Sequence, residues 1–223
     1  FWPKVINPAI LNKQGFRKNL YQYNGYKEDF YLADYQPDTT FMEKLPFEHY
    51  VVVRPENIKA NYVEGRQSIV PELLKALDAK GYNILFLPRY ESDRDYAQGI
   101  KNIYIPATAV NGMDACYYAD AILTGAGTMA REAACLGVPS VSFFAGAHLL
   151  SVDQSLVDAG KMFFSRDVEQ IMQYLESAKG SFFTHRAGGV AGLARCKQVQ
   201  QEILDTLDRK IREYLSRSAS GSH

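Results

Sequence analysis

The stretch DAILTGAGTMAREAACLGVPSVSFF, Asp120 to Phe144, reads as a strand, a glycine-bearing turn, a helix, a glycine stop and a second strand. DAILTG is a short, strongly apolar run, MAREAACL is rich in helix formers up to Gly137, and Pro139 opens the next apolar run. A strand, helix and strand in that order is the unit of a parallel sheet, so the chain belongs to the α/β class. Gly125 and Gly127 remove side chains where the strand turns into the helix. They serve either tight strand-helix packing or the approach of an anion, such as a diphosphate, to the helix N-terminus. Thr128 is placed to cap the helix or to bond a phosphate oxygen, and Glu132 lies on the same face one turn deeper. A carboxylate repels phosphate. A functional Glu132 therefore accepts hydrogen bonds from neutral hydroxyls such as those of a ribose, and otherwise it complements the helix dipole. Met129 and Ala130 follow where a G-x-G-x-x-G fingerprint would continue to its third glycine, which disfavours NAD.

The same rhythm extends in both directions. HYVVVRP, NILFLPR, NIYIP, DAILTG, PSVSFF and KMFFS are six strand candidates. Helical patterns fill Ile69 to Lys80, the DACYYA region, Val168 to Ser177 and Arg195 to Arg217; in the last, Val199, Ile203, Leu207 and Ile211 form an apolar stripe that needs a packing partner. The expected fold is a Rossmann-like open parallel sheet of about six strands with helices on both faces and a long C-terminal helix. Residues 1–44, rich in Tyr, Asn and Lys, lack this rhythm and read as a connecting segment or the remnant of an N-terminal domain. Residues 45–217 read as the Rossmann-like domain, and 218–223 as a disordered tail.

In such a sheet ligands sit beyond the carboxyl ends of the strands. The loops there collect Arg54, Glu56, Asn57, Arg89, Glu91, Thr124, Thr128, Glu132, His148, Asp153 and Gln154, whereas the opposite edge receives mostly helix stops. Arg54 serves either to neutralise an anion or to pair with Glu56, and Arg89 invites the same guess. His148 is a weak candidate for a catalytic base beside the reading as a structural residue.

The bulk numbers exclude several classes. Lys+Arg and Asp+Glu balance at 25 each, which gives no reason to expect nucleic acid or an anionic membrane as partner. No run of 18 apolar residues is present, and FWPKVINPAI has no signal-peptide layout. Three dispersed cysteines, Cys116, Cys135 and Cys196, lack metal-ligand spacing and suit buried thiols in a reducing compartment, so the expected location is cytoplasmic with no metal site.

ADAILTGAGTMAREAACLGVPSVSFF resembles the donor-binding core of GT-B glycosyltransferases and the related UDP-N-acetylglucosamine 2-epimerases, with their strand, S/T-G-x-G-T/S-x-x-x-E-A and L-G-x-P pattern. YVVVRPE and SVDQSLVDAG occupy the places where that fold opens its second domain and presents an acidic-Gln pair to the donor sugar. Similar stretches mark an uncharacterised, largely archaeal and bacterial domain-of-unknown-function family of GT-B-like proteins, and the likeness runs from Tyr26 to Leu175. The resemblance implies that Gly125, Ala126, Gly127 and Thr128 receive the diphosphate of a nucleotide sugar, UDP-linked, with no other cofactor. It implies further that Glu132 holds the ribose, that the loop Ile105 to Thr108 lies against the base, that Asp153 and Gln154 read the sugar, and that Arg54 neutralises the diphosphate. The expected function is thus the C-terminal, donor-binding half of a GT-B-type glycosyltransferase. A UDP-sugar 2-epimerase and a non-catalytic binding or homodimerisation module are the alternatives. A GT-B protein has two such halves, so the acceptor site and usual base are expected in an N-terminal Rossmann-like domain absent from this sequence.

Overall fold

Val51–Arg54, Ile84–Phe86 and Ala121–Thr124 bury almost every side chain, as strands covered on both faces must. The computed structural model describes residues 1–15, 21–58, 67–181 and 185–220. Its strands are β1 (Trp2–Pro3), β2 (Gln22–Tyr23), β3 (Val51–Arg54), β4 (Ile84–Phe86), β5 (Ile103–Tyr104), β6 (Ala121–Thr124), β7 (Ser140–Ser142) and β8 (Phe163–Phe164). The helices are α1 (Pro8–Lys13), α2 (Lys27–Leu32), α3 (Val70–Ala79), α4 (Gly112–Tyr118), α5 (Gly127–Leu136), α6 (Ser151–Asp158), α7 (Val168–Ala178) and α8 (His185–Ser220).

Strands β3 to β8 form one parallel sheet in the order β5-β4-β3-β6-β7-β8. This is the doubly wound order: the first three strands proceed one way from β3, the last three the other way from β6. Alternation within each strand supplies the two faces. Val51, Val53, Phe86, Leu123 and Val141 join the cluster that contains Leu73 and Leu77 of α3 and Ile171 and Leu175 of α7. On the opposite face the Ser140 hydroxyl donates to the Ala130 carbonyl of α5 (2.8 Å), and the Tyr50 hydroxyl to the Ala115 carbonyl of α4 (3.2 Å). The six-stranded α/β sheet and long C-terminal helix are those the sequence implies.

The chain divides into two compact units, one of Gln36–Gly192 and one of Phe1–Tyr35 with Leu193–His223. The division differs from the one read in the sequence, which breaks at residue 44 and keeps the last helix with the sheet. The physical reason lies in what α8 buries. Val199 and Ile203 cluster with Tyr23, and Arg195 donates to the buried Asp29 carboxylate at 2.5 and 3.0 Å, so the helix shares a core with the N-terminal segment. The expected apolar stripe is only half used, because Leu207 and Ile211 remain 42% and 49% exposed. The N-terminal segment is also more regular than expected, with β1 and β2 paired in parallel. Helix α8 begins ten residues earlier than expected and continues to Ser220, into the segment read as a tail; residues 221–223 lie outside the described residues.

Candidate functional site

The sheet order reverses between β3 and β6, and the two strands run in register so that Arg54 lies beside Thr124. The chain leaving β6 is tied back at once. The Gly125 N–H donates to the Arg54 carbonyl (3.1 Å), and the Thr124 hydroxyl oxygen accepts from the Ala126 N–H (2.9 Å). Helix α5 then starts at Gly127 with Ala126 as its N-cap, a residue that offers no side-chain oxygen. Thr128 is therefore the second helical residue and does not cap the helix, which corrects one of its two expected roles. The first-turn N–H groups are left without a side-chain cap and carry the positive end of the helix dipole.

The two glycines of the turn have different reasons. A Cβ on Gly125 would fall 2.5 Å from the Glu56 Cα, so backbone packing alone demands glycine there. A Cβ on Gly127 would lie 3.0 Å from Arg131 Nη1, at the surface of a buried ion pair. In that pair Arg131 Nη1 donates to Asp153 Oδ1 at 2.8 Å, joining α5 to α6, and Arg131 Nη2 reaches the Thr128 hydroxyl at 3.3 Å.

A cleft of about 480 Å³ opens over the turn, lined among others by Arg54, Arg89, Gly125, Gly127, Thr128 and Glu132. A neighbouring cavity of about 340 Å³ shares Arg54, Val110, Gly112 and Met129 with it and is walled by Pro106 to Ala109 and Arg94. The residues that follow Ile105 thus line a cavity, whereas the Ile105 side chain packs on the sheet core. Glu132 is half-buried at the cleft. Its charge, second to burial, pushes the Cys116 thiol upward from its ordinary pKa, which makes Cys116 an inert core residue.

Four arginines serve this edge of the sheet in two ways. Arg166 donates to Glu56 (3.0 Å) and to the Phe143 carbonyl (2.7 Å), while Glu56 also accepts from Ser68 (2.7 Å) and the Ile69 N–H (3.2 Å). Glu56 is buried and belongs to this network, so the expected Arg54–Glu56 pair does not form. Arg54 has no carboxylate within ion-pairing distance among the described residues. Burial, and after it the charge of Arg89, lower its pKa from the ordinary value. An arginine that remains charged under those conditions favours a bound anion.

The remaining expected residues lie elsewhere. Asp153 is 4% exposed and committed to Arg131, while the exposed Gln154 donates to Asp158 on its own helix (2.8 Å). His148 is exposed and lines neither cavity. Of the loop Arg54–Tyr62, residues 59–62 lie outside the described residues. Sequence reasoning missed Arg131 and Arg166. A signal existed for Arg131: GTMAREAACL carries apolar residues all round, with Cys135 and Leu136 one turn beyond Arg131 and Glu132, which is the pattern of a helix buried on more than one face.

The strand order, with an uncapped glycine turn at its switch point, defines a Rossmann-like α/β sheet. Residues 1–188 match the family described as "Protein of unknown function (DUF354)", and the chain belongs to that family. It is 30% identical over 154 residues to the uncharacterized protein MJ0665 of Methanocaldococcus jannaschii, an alignment covering 67% of this chain and 44% of that protein. Among solved structures it is similar to the UDP-GlcNAc 2-epimerase of the same organism, with a TM-score of 0.57 and 16% identity over 78% of this chain and 53% of the other. It is also similar to the spinosyn rhamnosyltransferase SpnG complexed with spinosyn aglycone, with a TM-score of 0.54 and 13% identity over 78% and 49%. At these identities the likeness is one of fold. The chain spans about half the length of the relatives it matches.

Proposed function

We propose that this chain is the donor-binding half of a GT-B-type glycosyltransferase and that its cleft holds a nucleoside diphosphate sugar. The observation that carries the reading is the juxtaposition, in one cleft, of an uncapped helix start at Gly127, the half-buried Glu132 and Arg54, with which no described carboxylate pairs. The helix start and Arg54 receive the diphosphate, and Glu132 accepts hydrogen bonds from ribose hydroxyls. The base enters the adjoining cavity against the backbone of residues 105–108. During sugar transfer the anomeric carbon bonds to an acceptor hydroxyl, which gives up its proton, as the bond to the diphosphate breaks, and the charge that develops on the leaving diphosphate is stabilised by the Gly127 and Thr128 amides at the start of α5 and by Arg54. These donors are fixed before the reaction, so no reorganisation is needed as the charge appears.

Thermal unfolding in the presence of UDP, GDP, a UDP-sugar and NAD tests the reading. A ligand at about 100 times its Kd stabilises by about 2.7 kcal/mol, a rise in midpoint of several degrees for a chain of this size. The expected result is a rise with a nucleoside diphosphate and none with NAD, and its loss in Glu132→Ala at an unchanged ligand-free midpoint. No rise with any nucleotide sinks the proposal. Product analysis then separates sugar attached to an acceptor from a free, epimerised sugar.

A further inference from the structure

Resting on the nucleoside diphosphate reading above, we propose that Arg89 is a specificity-determining residue of the cleft, the group that reads a second phosphate and so separates nucleoside diphosphates from monophosphates. Arg54 ends β3, and Arg89 follows the adjacent strand β4 by three residues; both side chains line the cleft over the glycine turn. Among the described residues no carboxylate pairs with either one.

The acid best placed to pair with Arg89 is occupied otherwise. Asp93 is buried, and its Oδ2 accepts the backbone N–H groups of Arg89 (2.8 Å) and Tyr90 (2.9 Å), closing a capping box. The loop is pinned a second time where the Tyr90 hydroxyl donates to Asn57 Oδ1 at 2.7 Å. The base of the Arg89 side chain is thus fixed on two sides. Its Nε is buried and, among the described residues, has no hydrogen-bond partner.

A buried N–H without an acceptor is costly, and native proteins leave few of them. Two guanidinium groups close enough for one to depress the pKa of the other add a repulsion, which the more weakly felt charge of Asp93 offsets only in part. The repulsion is relieved if the ligand brings two anionic groups. A single phosphate is served by the helix start and Arg54, and leaves the Arg89 charge unneutralised. A diphosphate supplies a second set of oxygens, which the planar fork of Arg89 matches in pairs.

Calorimetric titration of the whole chain with UDP and UMP, and with GDP and GMP, tests the assignment in wild type, Arg89→Ala and Arg89→Lys. Wild type is expected to bind the diphosphate at least about tenfold more tightly than the monophosphate. Arg89→Ala is expected to bring that ratio to within about threefold of unity by loss of diphosphate affinity, with monophosphate affinity little changed; Arg89→Lys restores part of the ratio. A preference for diphosphate that survives undiminished in Arg89→Ala overturns the assignment and leaves the nucleotide reading standing. Wild type that binds no nucleotide overturns both. Thermal midpoints of the ligand-free variants complete the test, because relief of repulsion leaves them equal to or above wild type. A midpoint lowered by several degrees with the binding ratio unchanged marks Arg89 as structural and overturns the proposal.

Discussion

Arg131 and Arg166 stand at the same edge of the sheet as Arg54 and Arg89, yet the two pairs live under opposite conditions. Arg131 and Arg166 each meet a carboxylate that is almost wholly buried, Asp153 at 2.8 Å and Glu56 at 3.0 Å. Arg54 and Arg89 line an open cleft, and no described carboxylate pairs with them. The difference teaches where the fold ends and the site begins. A charge with a buried partner ties one element to another, and removing it leaves its partner uncompensated. A charge held at the surface of a cleft with no partner contributes little to the folded state and is available to a ligand.

The largest effect tests the first half of that contrast. Arg131→Met leaves the Asp153 carboxylate buried without its ion pair, and the expected loss is about 3 kcal/mol, roughly 10 °C in thermal midpoint. Arg131→Met combined with Asp153→Leu removes both charges and is expected to recover most of the loss, since a pair replaced by apolar groups is often neutral. If the double variant is as unstable as the single one, the ion pair is not what Arg131 contributes, and its hydrogen bond to Thr128 becomes the better account.

Gly125→Ala comes next and tests whether the turn is shaped by packing. The added methyl meets the Glu56 Cα, an atom of the backbone that cannot turn aside, so overpacking of about 1–3 kcal/mol is expected by denaturant unfolding. The readings of Gly125 as a packing glycine and as part of an anion site are compatible, since closing the strand onto Glu56 is also what sets the helix start at the cleft. A Gly125→Ala protein as stable as wild type contradicts the close approach itself.

These cases mark how far the sequence was legible. The strands were readable because a parallel strand covered on both faces is a plain apolar run, as in VVV of β3 and AIL of β6, and the glycine turn was readable because both glycines lie within three residues of a strand end. The loops that form the cleft then follow from topology. Partner choice among the charges was not legible. Arg166 lies 110 residues from Glu56 and Arg131 lies 22 from Asp153, and no local pattern states which carboxylate a guanidinium will meet once the sheet has closed. Arg54 and Glu56, two residues apart, invited pairing because residues i and i+2 of an extended chain share a face, but β3 ends at Arg54 and Glu56 turned inward to Arg166. Asp153 was read as a sugar contact from the resemblance alone, and neither its burial nor its pairing with Arg131 shows in the local sequence.

The smallest effect on stability carries the most weight for the site. Arg54→Met removes a charge that burial and Arg89 both disfavour and that no described carboxylate pairs with, so the change in unfolding free energy is expected to stay within about 0.5 kcal/mol. The apolar stem of methionine keeps the packing of the arginine's methylenes, which leaves the guanidinium as the one thing lost. Stability and binding then part company. The ligand-free midpoint stays at the wild-type value while the rise on adding a nucleoside diphosphate falls away, the reverse of Arg131→Met, where the midpoint drops first. Were Arg54→Met as unstable as Arg131→Met, the contrast between paired and unpaired arginines would fail, and Arg54 would have to be counted with the scaffold.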